Sequence, residues 1–304
     1  LAKGIHRHRA LSSGNEILID IFILLNKISI GKYRIPLENA AAGETNHRRR
    51  ARHLKTNSRQ SMADLPRSTR VVIIGGGVIA MEFSHVYARA GTKVTILEVM
   101  SRLLPKIEGD AVAAIQAESE RIGITVKTDV AVKEIIETNG RLQVAYQDEG
   151  GEHTVLADRV VNGAGRVANV DTLDLDAGNV KHDHLAVEID EYLRSTSNPS
   201  VWVCGDSLVT SAQLSPIASY EGRIVGQNIV NGASVKPDYS VIPSCVYTVP
   251  ALSTVGLTEQ EAADQGLDVK VTTNDMHDWF SGKAYAESVA FAKVLVDEKE
   301  DKIV

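Results

Sequence analysis

Up to about Thr56 the apolar residues follow no sustained period, neither the two of a strand nor the three to four of a helix, and from Arg70 the pattern sharpens. Val71-Val-Ile-Ile74 is a β-branched apolar run that predicts a buried strand, closed by Gly75-Gly76-Gly77. The next apolar positions, Val78, Met81, Phe83, Val86 and Tyr87, fall at helical spacing, with Gly91 in the usual C-terminal place of glycine. Lys93 to Leu97 reads as a second strand and ends on the carboxylate of Glu98. Asp110 to Arg121 is a predicted helix closed by Gly123, followed by a strand from Ile124 to Lys127. Val130 to Glu137 and Leu142 to Tyr146 flank Asn139-Gly140, a strong hairpin signal, and Arg159 to Asn162 runs into Gly163-Ala-Gly165-Arg166. This order predicts a parallel sheet carrying an antiparallel meander.

A second block follows. Val201 to Cys204 predicts a buried strand stopped by Gly205-Asp206, and Gln213 to Asn231 is mostly helical, with Pro216 near its start, where a missing N–H costs nothing. Asn231-Gly232 ends that helix. From Val241 the predicted strands Cys245 to Thr248, Ser253 to Gly256, Asp268 to Thr273 and Ala286 to Val296 surround one short helix, whose Thr258-Glu-Gln-Glu261 is a capping box. This last part predicts an α+β domain.

The length of 304 residues is enough for two or three domains. The longest apolar run near the start, Ile17 to Leu25, is broken by Asp20 and falls short of the roughly 20 residues that span a bilayer. With no ordered charged, apolar and cleavage regions, neither a membrane nor a secretory route is expected. The net charge of -6 hides an asymmetry: residues 1 to 62 hold 12 Lys or Arg against 4 Asp or Glu, and the remainder 21 against 35. The basic cluster His47 to His53 lacks interleaved aromatics, so it reads as a solvated, disordered segment and no nucleic-acid partner is expected. Because the chain opens on Leu and its early periodicity is poor, this head reads as foreign or disordered. Cys204 and Cys245 lie far apart among apolar residues, as buried thiols of a reducing compartment do, and the expected location is cytoplasmic. No metal-ligand spacing occurs among them and the nine histidines, so no metal site is expected.

The candidate chemistry starts at the glycine triplet. Gly75 suits the tight turn and Gly77 a close backbone approach to a pyrophosphate. Ala80 departs from a strict third glycine yet is small enough for a helix packed on a strand, while Glu98, about 20 residues past the turn, is placed to accept hydrogen bonds from a ribose diol. The helix N-terminus adds free N–H groups and a positive dipole. The combination reads as a dinucleotide-binding βαβ unit; the alternative is a purely structural strand-turn-helix.

Four motifs in order, GGGVIAMEF, NGAGR, VWVCGD and QLSPIASYEGR, resemble the flavin-dependent pyridine nucleotide-disulfide oxidoreductases, among them dihydrolipoamide dehydrogenase, glutathione reductase and mercuric reductase. The resemblance runs from about Arg70 to the end. It implies an α/β fold with a Rossmann-like NAD(P) domain at 63–162, the second half of an FAD domain at 163–237 and a truncated α+β dimerisation domain at 238–304, behind an unmatched basic segment at 1–62. It implies FAD and NAD as cofactors and a homodimer in the intact family. Gly75, Gly77 and Ala80 match the family's pyrophosphate turn, Gly165 and Arg166 its second glycine motif, and Gly205 with Asp206 its flavin motif, whose carboxylate binds the ribityl chain. Gln213, Leu214, Ser215 and Ala218 match the helix start that faces the flavin pyrimidine. Glu82 matches a flavin-proximal carboxylate that pairs with a lysine of the redox-disulfide helix, and Val78 resembles the lipoamide dehydrogenase side of the family.

Glu98 favours NAD by repelling a 2′-phosphate, whereas Ala80 and a swing of Arg102 leave NADP open. Two departures stand out: residues 1 to 62 contain no cysteine and no matching glycine turn where the family's first flavin motif and Cys-x4-Cys pair belong, and the chain does not reach its His-Glu acid-base region. The resemblance therefore implies an oxidoreductase passing hydride from NAD(P)H to FAD and on to a disulfide or similar acceptor in the intact enzyme. For this polypeptide it leaves open a non-catalytic nucleotide-binding remnant without disulfide reductase activity.

Overall fold

The β-branched run after Thr69 forms β1 (Arg70–Ile74), whose residues after Arg70 are all buried because both of its faces are covered. In the computed structural model, residues 69–304 are described except 171, 184–185 and 209–211; the expectations for 1–62 lie outside the described residues. The chain divides into two compact units, whose described parts are 166–240 in one and 69–165 with 241–304 in the other.

In the larger unit, β1 pairs in parallel with β2 (Lys93–Leu97) and with β7 (Arg159–Asn162), and β2 pairs with β3 (Thr125–Lys127), giving the order β3-β2-β1-β7. The connections are α1 (Val78–Arg89), α2 (Gly109–Arg121) and a meander of β4 (Ala131–Thr138), β5 (Arg141–Asp148) and β6 (Gly151–Ala157). Strand alternation sorts the core into two layers. Val71, Ile73, Val94, Ile96 and Val161 pack with Met81 and Tyr87 of α1 and Val112 and Ile115 of α2. Val72, Ile74, Leu97 and Val160 pack with Val144 and Tyr146 of the meander. The expected parallel sheet with its antiparallel meander is present, and Asn139 and Gly140 both take positive φ (52° and 76°), as a primed hairpin turn requires. β6 escaped the sequence reading because its run Glu152-His-Thr154 is polar and exposed on both faces and leaves little apolar alternation.

The smaller unit holds a 3-10 turn, Gly205–Ser207, and the helix α3 (Ser215–Asn231), over a core of Val180, Leu193, Val201, Val203, Leu208 and Ile224. Val201 to Cys204, expected as a strand, makes one isolated bridge, Trp202 to Arg194, among the described residues. Asn228 on α3 is buried with all four hydrogen-bond positions filled: its amide donates to Tyr192 O and Val235 O and accepts from the N–H groups of Ser234 and Val235.

Residues 241–304, back in the larger unit, form β8 (Ser244–Val246) and β9 (Leu252–Thr254), then an antiparallel sheet of β10 (Val269–Asp275), β11 (Phe291–Asp297) and β12 (Lys302–Ile303). Between β9 and β10 lies α4 (Glu259–Asp264), which starts at Thr258 with both halves of the expected capping box formed. The expected strand from Ala286 starts later, at Phe291: Phe280–Tyr285 is a short helix, α5, and Ala286 ends it in the left-handed conformation with φ 50°.

Candidate functional site

At the C-terminal end of β1, Gly75 has φ +100°, and a Cβ there would stand 2.5 Å from the carbonyl oxygen of Gly163, at the end of the neighbouring β7. The main chain is bonded on both sides of this contact, Gly75 N to Leu97 O at 2.8 Å and Gly163 N to Ile74 O at 2.7 Å. A Cβ on Gly163 would in turn meet the Cβ of the fully buried Ala80 at 3.1 Å, so the helix lies against the strand end as closely as a methyl group allows. Gly77 differs: nothing lies within 4 Å of a Cβ built on it, and it opens α1 with no side-chain cap and no acidic residue in the first turn. That end of α1 is therefore an open, positively polarised set of backbone donors of the kind an anionic group fills.

Glu98 follows β2 and is almost buried, at 7 % exposure. Its Oε2 accepts the N–H of Gly76 and its Oε1 accepts the N–H of Met100 at 2.7 Å. A Cβ on Gly76 would collide with this carboxylate and with Leu103. Arg102 is turned into its own loop, where its guanidinium donates to the carbonyls of Ile107 (2.9 Å) and Pro105.

Glu82, His85 and Arg89 occupy one face of α1 and grip the segment after β8. Glu82 Oε1 accepts Tyr247 N–H at 2.9 Å, His85 Nδ1 accepts Val249 N–H at 3.2 Å, and Arg89 donates to Val249 O at 2.7 Å. The other ring nitrogen of His85 meets Ser119 Oγ at 2.9 Å. With Nδ1 accepting, that nitrogen is the donor and the imidazole is neutral. Burial, reinforced by Arg89, holds the His85 pKa below its ordinary value against the opposing pull of Glu118. The carboxylate singled out as flavin-proximal thus holds a main-chain N–H within the larger unit. Sequence reasoning missed its two partners on the helix face, although the spacing Glu82, His85, Arg89 on an otherwise apolar helix was the available signal.

Glu108, Asp110 and Glu259 converge as carboxylates do around a cation. The ammonium of Lys293 stands among them, bonded to Asp110 at 2.8 Å, to Glu108 at 3.1 Å and to Glu259, with its side chain only 7 % exposed. Burial alone would lower the pKa of Lys293, but the three carboxylates outweigh it and push it up.

In the smaller unit the structure brings three of the expected residues together. Arg166 donates to Asp206 Oδ2 at 2.6 Å and to the Gln213 carbonyl at 3.1 Å, while the Gln213 amide donates to the Asp206 carbonyl at 3.2 Å. Leu214 and Ser215 form the uncapped start of α3, where the Ala218 N–H closes the first turn onto Leu214 O at 3.0 Å. Gly165, with φ +125°, belongs to the larger unit. The Gly205 N–H donates at 2.6 Å to Glu221, which is fully buried and also accepts the Tyr239 hydroxyl at 2.8 Å. Burial and the Glu221 carboxylate raise the Tyr239 pKa well above the ordinary phenol range. Glu221 was missed too; a glutamate at a core position of α3, between Ala218 and Ile224, was its signal.

Against known proteins, the sequence profile of the pyridine nucleotide-disulphide oxidoreductases matches residues 29–222, and that of the dimerisation domain of the same proteins matches residues 242–304. The first match begins inside the basic head. The dihydrolipoyl dehydrogenase of Halobacterium salinarum is 35% identical over 249 residues, covering 80% of this chain and 51% of its own length. The mercuric reductase of Staphylococcus aureus is 30% identical over 254 residues, covering 83% and 46%. Among solved structures, a Cu(II) complex of the HOCl-induced flavoprotein disulfide reductase RclA of Escherichia coli superimposes with a TM-score of 0.72 at 25% identity, covering 80% of this chain and 54% of that one. The chain spans about half the length of these relatives.

Proposed function

Because the chain belongs to the pyridine nucleotide-disulphide oxidoreductase family, we propose that it supplies the nicotinamide-dinucleotide site of a flavin-dependent oxidoreductase, which in the whole protein passes hydride between NAD(P)H and FAD and on to a disulfide or similar acceptor. The observation that carries this reading is the turn at Gly75–Gly77, closed against Gly163 on one side and Glu98 on the other, with the open start of α1 above it. The donor set fits the group. The α1 N–H groups and dipole would hold the pyrophosphate, Gly77 leaves room for it, and the Glu98 carboxylate would accept from the ribose. When bound, the nicotinamide ring supplies the hydride and the flavin takes it up.

For the flavin the fit is partial. Asp206 and the start of α3, with Gln213, Leu214, Ser215 and Ala218, would receive a sugar hydroxyl and the electron-rich pyrimidine edge, and Arg166 neutralises Asp206 in the meantime. By their match to the family's motifs we assign Gly165 and Arg166 to the nicotinamide nucleotide and Glu82 to the flavin. The family's dimerisation profile over 242–304 supports a homodimer, and we place the protein in the cytoplasm with neither membrane nor nucleic acid as a partner. No helix among the described residues is long and apolar enough to cross a membrane.

A second reading, nucleotide binding without disulfide reduction, is favoured by the cysteines: Cys204 and Cys245 are both half-buried, and they belong to different units. Titrating NADH into the purified chain while following nicotinamide fluorescence, then adding a small aromatic disulfide, tests both. Saturable binding displaced by ADP-ribose, with little retained flavin and no disulfide reduction, is expected. Absence of binding sinks the dinucleotide site, and catalytic reduction by the chain alone sinks the second reading.

A further inference from the structure

We infer that Lys293 is an electrostatic latch: it holds the last part of the chain, α4 with the sheet β10-β11-β12, onto the start of α2, and where it lets go residues 256–304 open as a unit while the parallel sheet stays folded.

Apolar packing stops short of this part. The core that α1 and α2 share with the parallel sheet takes in Val246 and Leu252, from β8 and β9, and none of its buried members among the described residues lies beyond Leu252. Past Gly256 the buried apolar side chains are Ala262 and Leu295. β10 is exposed at every position after the half-buried Val269, and both residues of β12 are exposed. A small sheet with so little buried of its own depends on what it leans against. Its ties to α2 are polar: Ser288 Oγ donates to Glu118 at 2.6 Å, the Glu259 N–H donates to Glu108 Oε2 at 2.9 Å, and the Lys293 ammonium reaches Glu108, Asp110 and Glu259.

Of these ties, Lys293 decides. Its ammonium carries three N–H donors, and each finds a carboxylate, so none is left over in a side chain that is almost wholly buried. The acceptors come from separate places in the chain: Glu108 caps α2, Asp110 lies in its first turn and Glu259 opens α4. Their oxygens lie within 4.8 Å of one another. With the ammonium between them the two helix starts are drawn together. Remove it, and three negative charges face one another with nothing to offset them, so the attraction becomes a repulsion. The Ser288 contact has no such leverage, because Glu118 keeps Arg89 and Arg121 when Ser288 leaves. Breaking one buried cation therefore frees the whole last part, and the main chain at Val255 and Gly256 is what still joins it to β9.

The test is native-state hydrogen exchange of the full chain, read peptide by peptide by mass spectrometry, in the wild type, in Lys293→Met, and in Lys293→Met combined with Glu108→Gln and Glu259→Gln. In the wild type the amides of β10 and β11 are expected to exchange together and ahead of those of β1 and β2, a comparison that needs no variant. In Lys293→Met they should exchange at least about tenfold faster still, with β1 and β2 unchanged. The glutamines keep an acceptor for the Gly109 and Glu259 N–H groups while removing charge, so the triple variant should recover most of the lost protection. Amides of β10 and β11 that exchange only together with β1 in the wild type, or a loss of β1 protection in Lys293→Met, overturn the separate opening. Protection in Lys293→Met equal to the wild type overturns the latch. A triple variant as exposed as Lys293→Met alone points to lost packing in place of lost charge and overturns its electrostatic basis.

Discussion

Gly75 and Gly77 stand two residues apart in one motif, and the structure gives them opposite surroundings, so that substitution by alanine separates the turn from the proposed pyrophosphate site. In Gly75→Ala the new Cβ falls 2.5 Å from Gly163 O, 2.7 Å from Gly163 C and 2.9 Å from Ala164 N, all main-chain atoms with no flexible end to move. Placing an L side chain at φ +100° costs about 1–3 kcal/mol before any clash is counted. Relief requires β1 and β7 to part at their ends, straining the bonds Gly75 N to Leu97 O and Gly163 N to Ile74 O, each worth about 0.5–1.5 kcal/mol. The sum, about 3–5 kcal/mol, is a large share of the roughly 5–15 kcal/mol that holds a domain folded. With a urea slope of about 2–3 kcal/mol/M, the unfolding midpoint followed by circular dichroism should fall by about 1–2 M. Gly77→Ala meets nothing within 4 Å and keeps an ordinary extended backbone, φ -76° and ψ -176°, so its midpoint should stay within about 0.2 M of the wild type. Its NADH affinity should drop at least about tenfold, because the methyl takes the space the pyrophosphate needs. A Gly75→Ala protein as stable as the wild type, or a Gly77→Ala protein with unchanged NADH affinity, would refute this division.

Glu221→Ala should cost about 2–3 kcal/mol in urea unfolding, since it leaves a buried donor, Gly205 N–H, without its acceptor at about 1–3 kcal/mol and removes the acceptor of the half-buried Tyr239 hydroxyl as well; a loss no larger than that of an exposed glutamate would contradict the account of the Gly205 turn. His85 makes stability depend on pH: its folded pKa lies below the unfolded 6.5, so its contribution is present above pH 6.5 and is lost as pH falls through 6.5 toward the folded value. His85→Gln should flatten the stability slope between about pH 7 and pH 5.5, and equal slopes in the two proteins would remove His85 from the explanation.

Most of the larger unit's architecture was legible because its elements announce themselves locally. The run Val71 to Ile74 is apolar on every position, as only a strand covered on both faces can be, and the structure covers one face with α1 and α2 and the other with the meander. Asn139-Gly140 and Thr258 to Glu261 are local chemical devices, a turn that needs positive φ and a reciprocal cap, and both form where the sequence puts them. Elements whose stability comes from elsewhere were harder to place. β6 exposes most of its side chains and exists because the edge of β5 pairs with it from Leu142 to Asp148. Val201 to Cys204 has the composition of a strand but a single bridge partner among the described residues, since composition fixes burial and not pairing.

The candidate site divides along the same line, and the division bears on how the protein works. Gly75 was readable because a Cβ there would meet Gly163 and its φ is positive, whereas Gly77, named from the same spacing, has open space where its Cβ would lie. The polar residues were readable as types and not as partners: a carboxylate at 98, 82 or 206 says that a charge sits near the nucleotide elements, while its bonds to Gly76 and Met100, to Tyr247 or to Arg166 depend on loops far away in sequence. Those bonds matter because they fix each group before any ligand arrives. Glu98 is held by main-chain donors that a ligand need not displace, since its oxygens keep further lone pairs, whereas Asp206 is held by a partly exposed guanidinium that a sugar hydroxyl has to share or move aside. Under the proposed function, the Glu98 side is organised ahead of its ligand by the main chain, and the Asp206 side gives up its contact with Arg166 to receive one.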